Sequence, residues 1–339
     1  MNYPIRSIEI KRFRGIEDLK IEEFSRINIF LGKNNVGKTS ILEAIFLLTG
    51  MSNLTLPALV NSIREEGAIA RENLSWLFYN RDINFPIVIS NPPYRTLQIV
   101  PILELDDGRG AIPTNSVSGL KIDGLKSEFS DNGKKREVSF YKRNDELTLE
   151  KSDYEEKIVA DYLPSNRLKA NLTPNIETII RKNRKDRLIE IIKQFDRKAI
   201  NVEIISDNIY VQLENIDDLM PISFIGDGLQ RFIGICAAVL NPNNNIVLID
   251  EIDNGLHYTV IKQLWRSLIK LSIENDTQLF ITTHNEESLK YLAAAVTGED
   301  KNDVLSVFSV QMTKNAGLKA YKYTATALQG AVEKDIEIR

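Results

Sequence analysis

Gly32-Lys33-Asn34-Asn35-Val36-Gly37-Lys38-Thr39 has the spacing G-x-x-x-x-G-K-[ST] of a phosphate-binding loop. Its flanks agree with that reading. The apolar run Ile27 to Leu31 precedes it as a buried strand. Ser40 to Thr49 follows with helical spacing at Ile41, Leu42, Ile45 and Leu48. Strand, glycine loop and helix start together form an anion site. Backbone N–H groups converge on phosphates, and the helix N-terminus adds favourable partial charge. Lys38 is expected to reach the β- and γ-phosphates of ATP and Thr39 to ligate Mg²⁺. Gly32, Asn34, Asn35, Gly37 and Ser40 complete the expected nucleotide contacts. The loop grips phosphates and does not read the base, so ATP and GTP fit it alike.

Three further stretches supply the chemistry such a loop needs. Ile246-Val247-Leu248-Ile249-Asp250-Glu251 is an apolar strand ending in two carboxylates. A central parallel strand is apolar on both faces, and its C-terminal end opens at the ligand crevice. Asp250 is placed to hold Mg²⁺, and Glu251, pointing differently, to polarise the attacking water. Leu279-Phe280-Ile281-Thr282-Thr283-His284-Asn285 is a third strand with a polar end. His284 is expected to contact the γ-phosphate or to orient that water. In Ile225-Gly226-Asp227-Gly228-Leu229-Gln230-Arg231, Gly226 and Gly228 open a helix, again suiting an anion.

Composition narrows the rest. The 339 residues suffice for one large or two small domains, and 43% are hydrophobic. With 43 basic and 47 acidic residues, overall charge does not announce a nucleic-acid binder. Cys236, the single cysteine, rules out an internal disulfide and reads as a small core residue. There is no signal-peptide apolar core and no apolar stretch of about 18 residues, so a cytoplasmic protein without a membrane partner is expected. The middle of the chain changes texture. Short β-like runs fill 85 to 143, separated by turns such as Asp131-Asn132-Gly133. Asn175 to Phe195 reads as one helix, and Val202 to Val211 as two short strands about Asp207-Asn208. The expected architecture is α/β, with a mixed sheet flanked by helices. Its core is split between 1–50 and 201–339, with an α+β insertion or lid at 51–200.

The order and spacing of these motifs resemble an ABC-type ATPase head of the SMC, RecF and OLD group, broadly AAA-type ATPases. Ile10-Lys11-Arg12-Phe13-Arg14-Gly15 and Ile27 through Glu43 resemble the group's start. Asp250-Glu251 resembles its Walker B pair and His284 its switch histidine. Gly226 to Arg231 occupies the place of its signature motif, with Gly226 at the usual serine position. Asp253-Asn254-Gly255-Leu256-His257 resembles the D-loop, and Gln98 is the candidate Q-loop glutamine. The resemblance implies a homo-oligomer, a dimer of heads or a larger assembly, in which one subunit's signature completes another's ATP site.

Long coiled coils are missing, and the 55 residues after His284 are few for a Toprim nuclease. The resemblance therefore narrows to stand-alone ATPases of bacterial anti-phage defence operons, such as the ATPase subunit of the PARIS system. These imply a separate effector, a nuclease or toxin. The alternative is a RecF-like DNA-binding repair ATPase, supported by Arg181, Lys182, Arg184, Lys185, Arg187, Lys193, Arg197 and Lys198. A third reading, a nucleotide-gated scaffold with negligible hydrolysis, is disfavoured by Glu251 and His284.

Overall fold

The computed structural model describes residues 3–64, 71–103, 122–143, 146–166, 171–194, 197–216, 218–224, 226–296, 301–314 and 317–334. Five parallel strands form its centre: β3 (Ile27–Leu31), β9 (Ala160–Leu163), β13 (Ile246–Ile249), β14 (Gln278–Thr283) and β15 (Leu305–Thr313). β16 (Gly317–Thr324) closes one edge antiparallel, giving the order β16-β15-β3-β14-β13-β9. The histidine strand β14 thus lies between the loop strand β3 and the acidic strand β13. Helices α1 (Lys38–Thr49), α5 (Asp227–Leu240), α6 (Tyr258–Glu274), α7 (Glu286–Ala295), α8 (Lys301–Val304) and α9 (Ala325–Glu333) complete this part of the chain.

A second, antiparallel sheet joins β1 (Ile8–Phe13) and β2 (Ile16–Ile21) to β4 (Ile87–Asn91), β5 (Arg95–Leu103), β6 (Ile122–Asp131), β7 (Lys134–Arg143) and β8 (Glu146–Glu150). Its order is β2-β1-β4-β5-β6-β7-β8. A third, small sheet holds β10 (Ala199–Ile205), β11 (Asn208–Leu213) and β12 (Met220–Pro221). The strands that lie within 51–200 are therefore shared between two sheets, each of which also holds strands from outside that segment, and β10 crosses the segment's end.

Side-chain alternation sorts the central sheet into two cores. Ile27, Ile29, Val247, Ile249 and Ile281 face a layer containing Phe232, Trp265 and Leu268 of α5 and α6. Phe30, Ile246, Leu248 and Phe280 face the opposite way, onto α1 and the antiparallel sheet. α1 is apolar almost all round because it runs between the two sheets. Phe24 sits edge-on to Phe30, Phe280 and Phe308, with centroids 5.1–6.2 Å apart.

The expected single helix over 175–195 is two helices, α3 (Leu172–Arg181) and α4 (Lys185–Ile192). Asn183 between them takes a left-handed φ of 57° and ends the first. Arg187 of α4 is neutralised within the fold by Glu190 and Glu274, and Arg184 is engaged by a hydrogen bond to Asn275. The Asp131-Asn132-Gly133 turn joins β6 to β7, with φ of 48° at Asn132 and 81° at Gly133. Cys236 is fully buried in α5, and burial pushes its thiol pKa up, as expected of a core residue.

One buried charge ties the antiparallel sheet to the loop helix. Glu43 of α1 is fully buried. Arg14, from the β1–β2 turn, brings Nε within 2.6 Å of it, and Arg64 of α2 (Leu56–Arg64) donates from Nε at 2.8 Å. Glu43→Ala would leave the buried Arg14 uncompensated. It is expected to cost about 3–5 kcal/mol of stability, read by chemical denaturation. A loss below about 1 kcal/mol, typical of an exposed pair, would contradict this role.

Candidate functional site

The loop between β3 and α1 is shaped by close approach. A Cβ on Gly32 would lie 2.5 Å from the Val310 carbonyl oxygen. Gly37, at the N-terminus of α1, takes a φ of 109° that side chains rarely adopt. Asn35 is left-handed at 63°, which asparagine tolerates. Lys38 is buried and donates from Nζ to the carbonyls of Gly32 (2.7 Å) and Lys33 (2.8 Å). Burial pulls its pKa below the usual lysine range, while Glu251, Asp250 and Asp253 push it back up. Ser40 accepts a hydrogen bond from Arg64 at 3.1 Å.

Asp250 is the meeting point. It is buried at the end of β13, where Thr39 of α1 donates to both its oxygens at 3.1 Å. Thr282 of β14 donates to Oδ1 at 2.6 Å, and the same hydroxyl accepts from the Glu251 N–H at 2.8 Å. Glu251 is held at a left-handed φ of 49°. Arg231 of α5 clamps this turn by donating to the Glu251 carbonyl, and at 3.4 Å to the carbonyls of Asp250 and Ser165. Next along, Thr283 donates to Asp253 Oδ1 at 2.5 Å and accepts from the Asn285 N–H at 3.0 Å.

Thr39 and Asp250 offer oxygen ligands only, and few of them. That suits Mg²⁺, which binds through one or two carboxylates together with phosphates and waters. Among the described residues no group of three or more His, Cys, Asp or Glu side chains stands ready to hold a metal. The loop also borders a cleft of about 730 Å³ lined by Gly32, Asn34, Asn35, His284, Glu286 and Gln311. His284 is exposed there, at the turn into α7.

The structure thus brings the loop, Asp250, Glu251 and His284 to the C-terminal ends of three neighbouring strands. The cleft beside the loop is lined by neither Gly226 nor Gly228, and Lys38, Thr39, Asp250 and Glu251 lie outside its lining too. Gly226 is exposed at the N-terminus of α5, and a Cβ on Gly228 would sit 3.5 Å from the Gly255 carbonyl. Gln98 lies within β5 and lines a different, polar cleft with Glu128 and Lys135.

Several site residues escape sequence reasoning. Thr282 and Thr283 are visible only as the polar end of a strand. β9 is four residues long, and its Tyr162 is a buried side chain whose hydroxyl has no hydrogen-bond partner among the described residues. Burial raises that phenol well above its ordinary pKa; Asp250 and Glu43 add to the rise, and Arg64 and Arg14 oppose it. An unsatisfied buried hydroxyl costs about 1–3 kcal/mol.

Comparison with known proteins places this geometry. Residues 27–290 match the family described as "AAA domain, putative AbiEii toxin, Type IV TA system". A Helicobacter pylori protein named ATP/GTP phosphatase is 26% identical over 336 residues, covering 87% of this chain and 89% of that one. The DNA replication and repair protein RecF of Lactococcus lactis is 54% identical over 44 residues, 13% of this chain and 12% of RecF. Among solved structures, an Smc head bound to the C-terminal winged-helix domain of ScpA superposes with a TM-score of 0.52 at 15% identity, covering 95% of this chain and 98% of that one. The Pyrococcus furiosus Smc head with an extended coiled coil, also bound to ScpA, gives 0.50 at 14%, covering 99% and 100%. Among the described residues no helix is long and apolar enough to cross a membrane.

Thr282→Val removes the hydroxyl shared by Asp250 and Glu251 while keeping the side chain's shape. It is expected to lower nucleotide turnover about 10–100-fold, the usual loss for an outer-shell partner, with Thr282→Ser restoring it. Steady-state kinetics decide this, and wild-type turnover in the valine variant would contradict it.

Proposed function

We infer the function from membership: the chain belongs to the AAA family that its residues 27–290 match, and it is an ATPase built on the fold of an Smc head. We propose that it is an ATP-driven switch whose nucleotide is sandwiched between two copies. One observation carries this reading. The glycine pair Gly226 and Gly228 opens an exposed helix N-terminus suited to phosphate, yet lies outside the cleft that the chain's own loop borders. A second copy presenting that terminus would supply the missing donors.

Within one copy the proposed roles follow from position. Lys38 exchanges its bonds to Gly32 and Lys33 for bonds to the nucleotide's phosphates. Thr39 and Asp250 hold Mg²⁺, which when bound neutralises phosphate charge. Glu251 draws a proton from the attacking water, and His284, at the rim of the cleft, orients that water or contacts the γ-phosphate. Gly32, Asn34, Asn35, Gly37 and Ser40 line the phosphate path. In this reading the central sheet, fed by residues 1–50 and 201–339 together with β9 from between them, is the engine. Much of 51–200 forms a platform over α1.

The family description, with its toxin and toxin–antitoxin vocabulary, supports a role in bacterial anti-phage defence, in which the switch restrains or releases a separate effector. The Smc heads bound to ScpA give a precedent for a partner protein on this fold. The second reading, a DNA-binding repair ATPase, draws on the short RecF match. The ion pairs that occupy Arg187, and the hydrogen bond from Arg184 to Asn275, weigh against it.

Complementation tests the sandwich. Lys38→Ala removes the loop's charge, and Gly228→Glu places a carboxylate at the proposed trans-acting helix terminus. Gly228 has ordinary space around a Cβ and no left-handed φ, so the second variant is expected to fold. Each variant alone should be inactive. Mixed, they should regain hydrolysis, because a mixed pair contains one site with both elements intact. Failure of the mixture to exceed its components would overturn the composite site.

A further inference from the structure

Tyr162 carries a buried hydroxyl with no hydrogen-bond partner among the described residues, and Asp250 of the candidate cation site is among the charges that act on it. One stripe of α1 carries Thr39, Glu43 and Phe46, spaced four and three residues apart. Tyr162 packs its ring against Phe46, with centroids 5.4 Å apart, so the phenol lies along this stripe. Across the sheet it is in register with Leu248, two residues before Asp250 on the same face of β13. Its polar surroundings are Asp250, Glu43, Arg64 and Arg14. Each is already engaged: Asp250 with Thr39 and Thr282, and Glu43 with Arg14 and Arg64. The side chain is 4% exposed, yet its hydroxyl has no partner among the described residues. A native fold rarely tolerates such a group unless something else satisfies it in the working state.

We propose that Tyr162 is a positioning residue of the cation site, its hydroxyl oxygen accepting a hydrogen bond from a water in the hydration shell of the Mg²⁺ held by Thr39 and Asp250. The inference rests on the reading of that pair as the metal site. Mg²⁺ sheds its waters reluctantly and keeps several of them when bound, so a fixed acceptor for one of those waters favours the hydrated ion. Phe46 and the strand register hold that hydroxyl in place, so its ordering costs nothing at the moment of binding.

The test uses Tyr162→Phe, which deletes only the hydroxyl, with Asp250→Asn beside it. Mn²⁺ affinity is measured by electron paramagnetic resonance in the presence of the β,γ-imido analogue of ATP, which is not hydrolysed. Thermal unfolding is recorded with and without metal. Tyr162→Phe should weaken Mn²⁺ about 10–100-fold and shrink the stabilisation that metal and analogue confer. Its metal-free melting temperature should match or exceed wild type, because an unsatisfied hydroxyl has been removed. Asp250→Asn should abolish Mn²⁺ binding. Unchanged Mn²⁺ affinity in Tyr162→Phe beside a dead Asp250→Asn would overturn the role of Tyr162 and leave the metal site standing. Unchanged affinity in Asp250→Asn would overturn the metal site and this inference with it. A lower metal-free melting temperature in Tyr162→Phe would show that the hydroxyl is satisfied without the cation, and would also overturn it.

Discussion

The carboxylate of Asp250 organises everything around it. A carboxylate this deeply buried survives only with partners, and two of its partners are hydroxyls from other segments: Thr39 from the loop helix and Thr282 from the histidine strand. The strand order makes this convergence possible. With β14 between β3 and β13, the C-terminal ends of three consecutive strands meet at one edge of the sheet, where α/β folds open their crevice. The loop, the acidic pair and the histidine turn are therefore one mechanical unit. A change at either of the two hydroxyl–carboxylate contacts bears on the other through the shared Asp250.

A second line of contacts runs from that unit toward the surface. Arg231 ties the first turns of α5 to the carbonyls of Asp250 and Glu251. Thr283 ties the end of β14 to Asp253, and Gly228 packs against Gly255 two residues on. Glu251 pays a conformational cost of about 1–3 kcal/mol in its left-handed φ, which the bonds from Thr282 and Arg231 hold in place. An exposed helix terminus, a strained acidic turn and the histidine are thus connected without passing through the nucleotide pocket. In a switch built from two copies, contact at the surface of α5 would be transmitted to Glu251 by this route.

What is contiguous in the chain was legible in the sequence. The loop and its strand and helix, the apolar run ending in Asp250-Glu251, and the strand ending at His284 each declare themselves within about ten residues by periodicity and residue type. The α/β class follows from their alternation. What sequence reasoning missed depends on residues far apart. β9 is four residues whose strand character comes from pairing with β13, so nothing local marks Tyr162 as part of the site. Glu43 meets Arg14 and Arg64 across gaps of 29 and 21 residues, and no spacing rule foretells such a triad. The helix over 175–195 reads as continuous because its apolar side persists on both sides of Asn183, whose left-handed backbone breaks it. The antiparallel sheet draws on β1 and β2 from before the loop as well as on the middle of the chain, a pairing that only the fold displays.

The most direct test of the account is the mass in solution of the wild type and of Glu251→Gln, each with and without ATP and Mg²⁺. The substitution keeps the side chain's shape and removes the carboxylate proposed as the base, so nucleotide should bind and persist. The account predicts a shift to a larger species on adding ATP and Mg²⁺, transient in the wild type and trapped in Glu251→Gln. A mass that stays the same under all four conditions would contradict it.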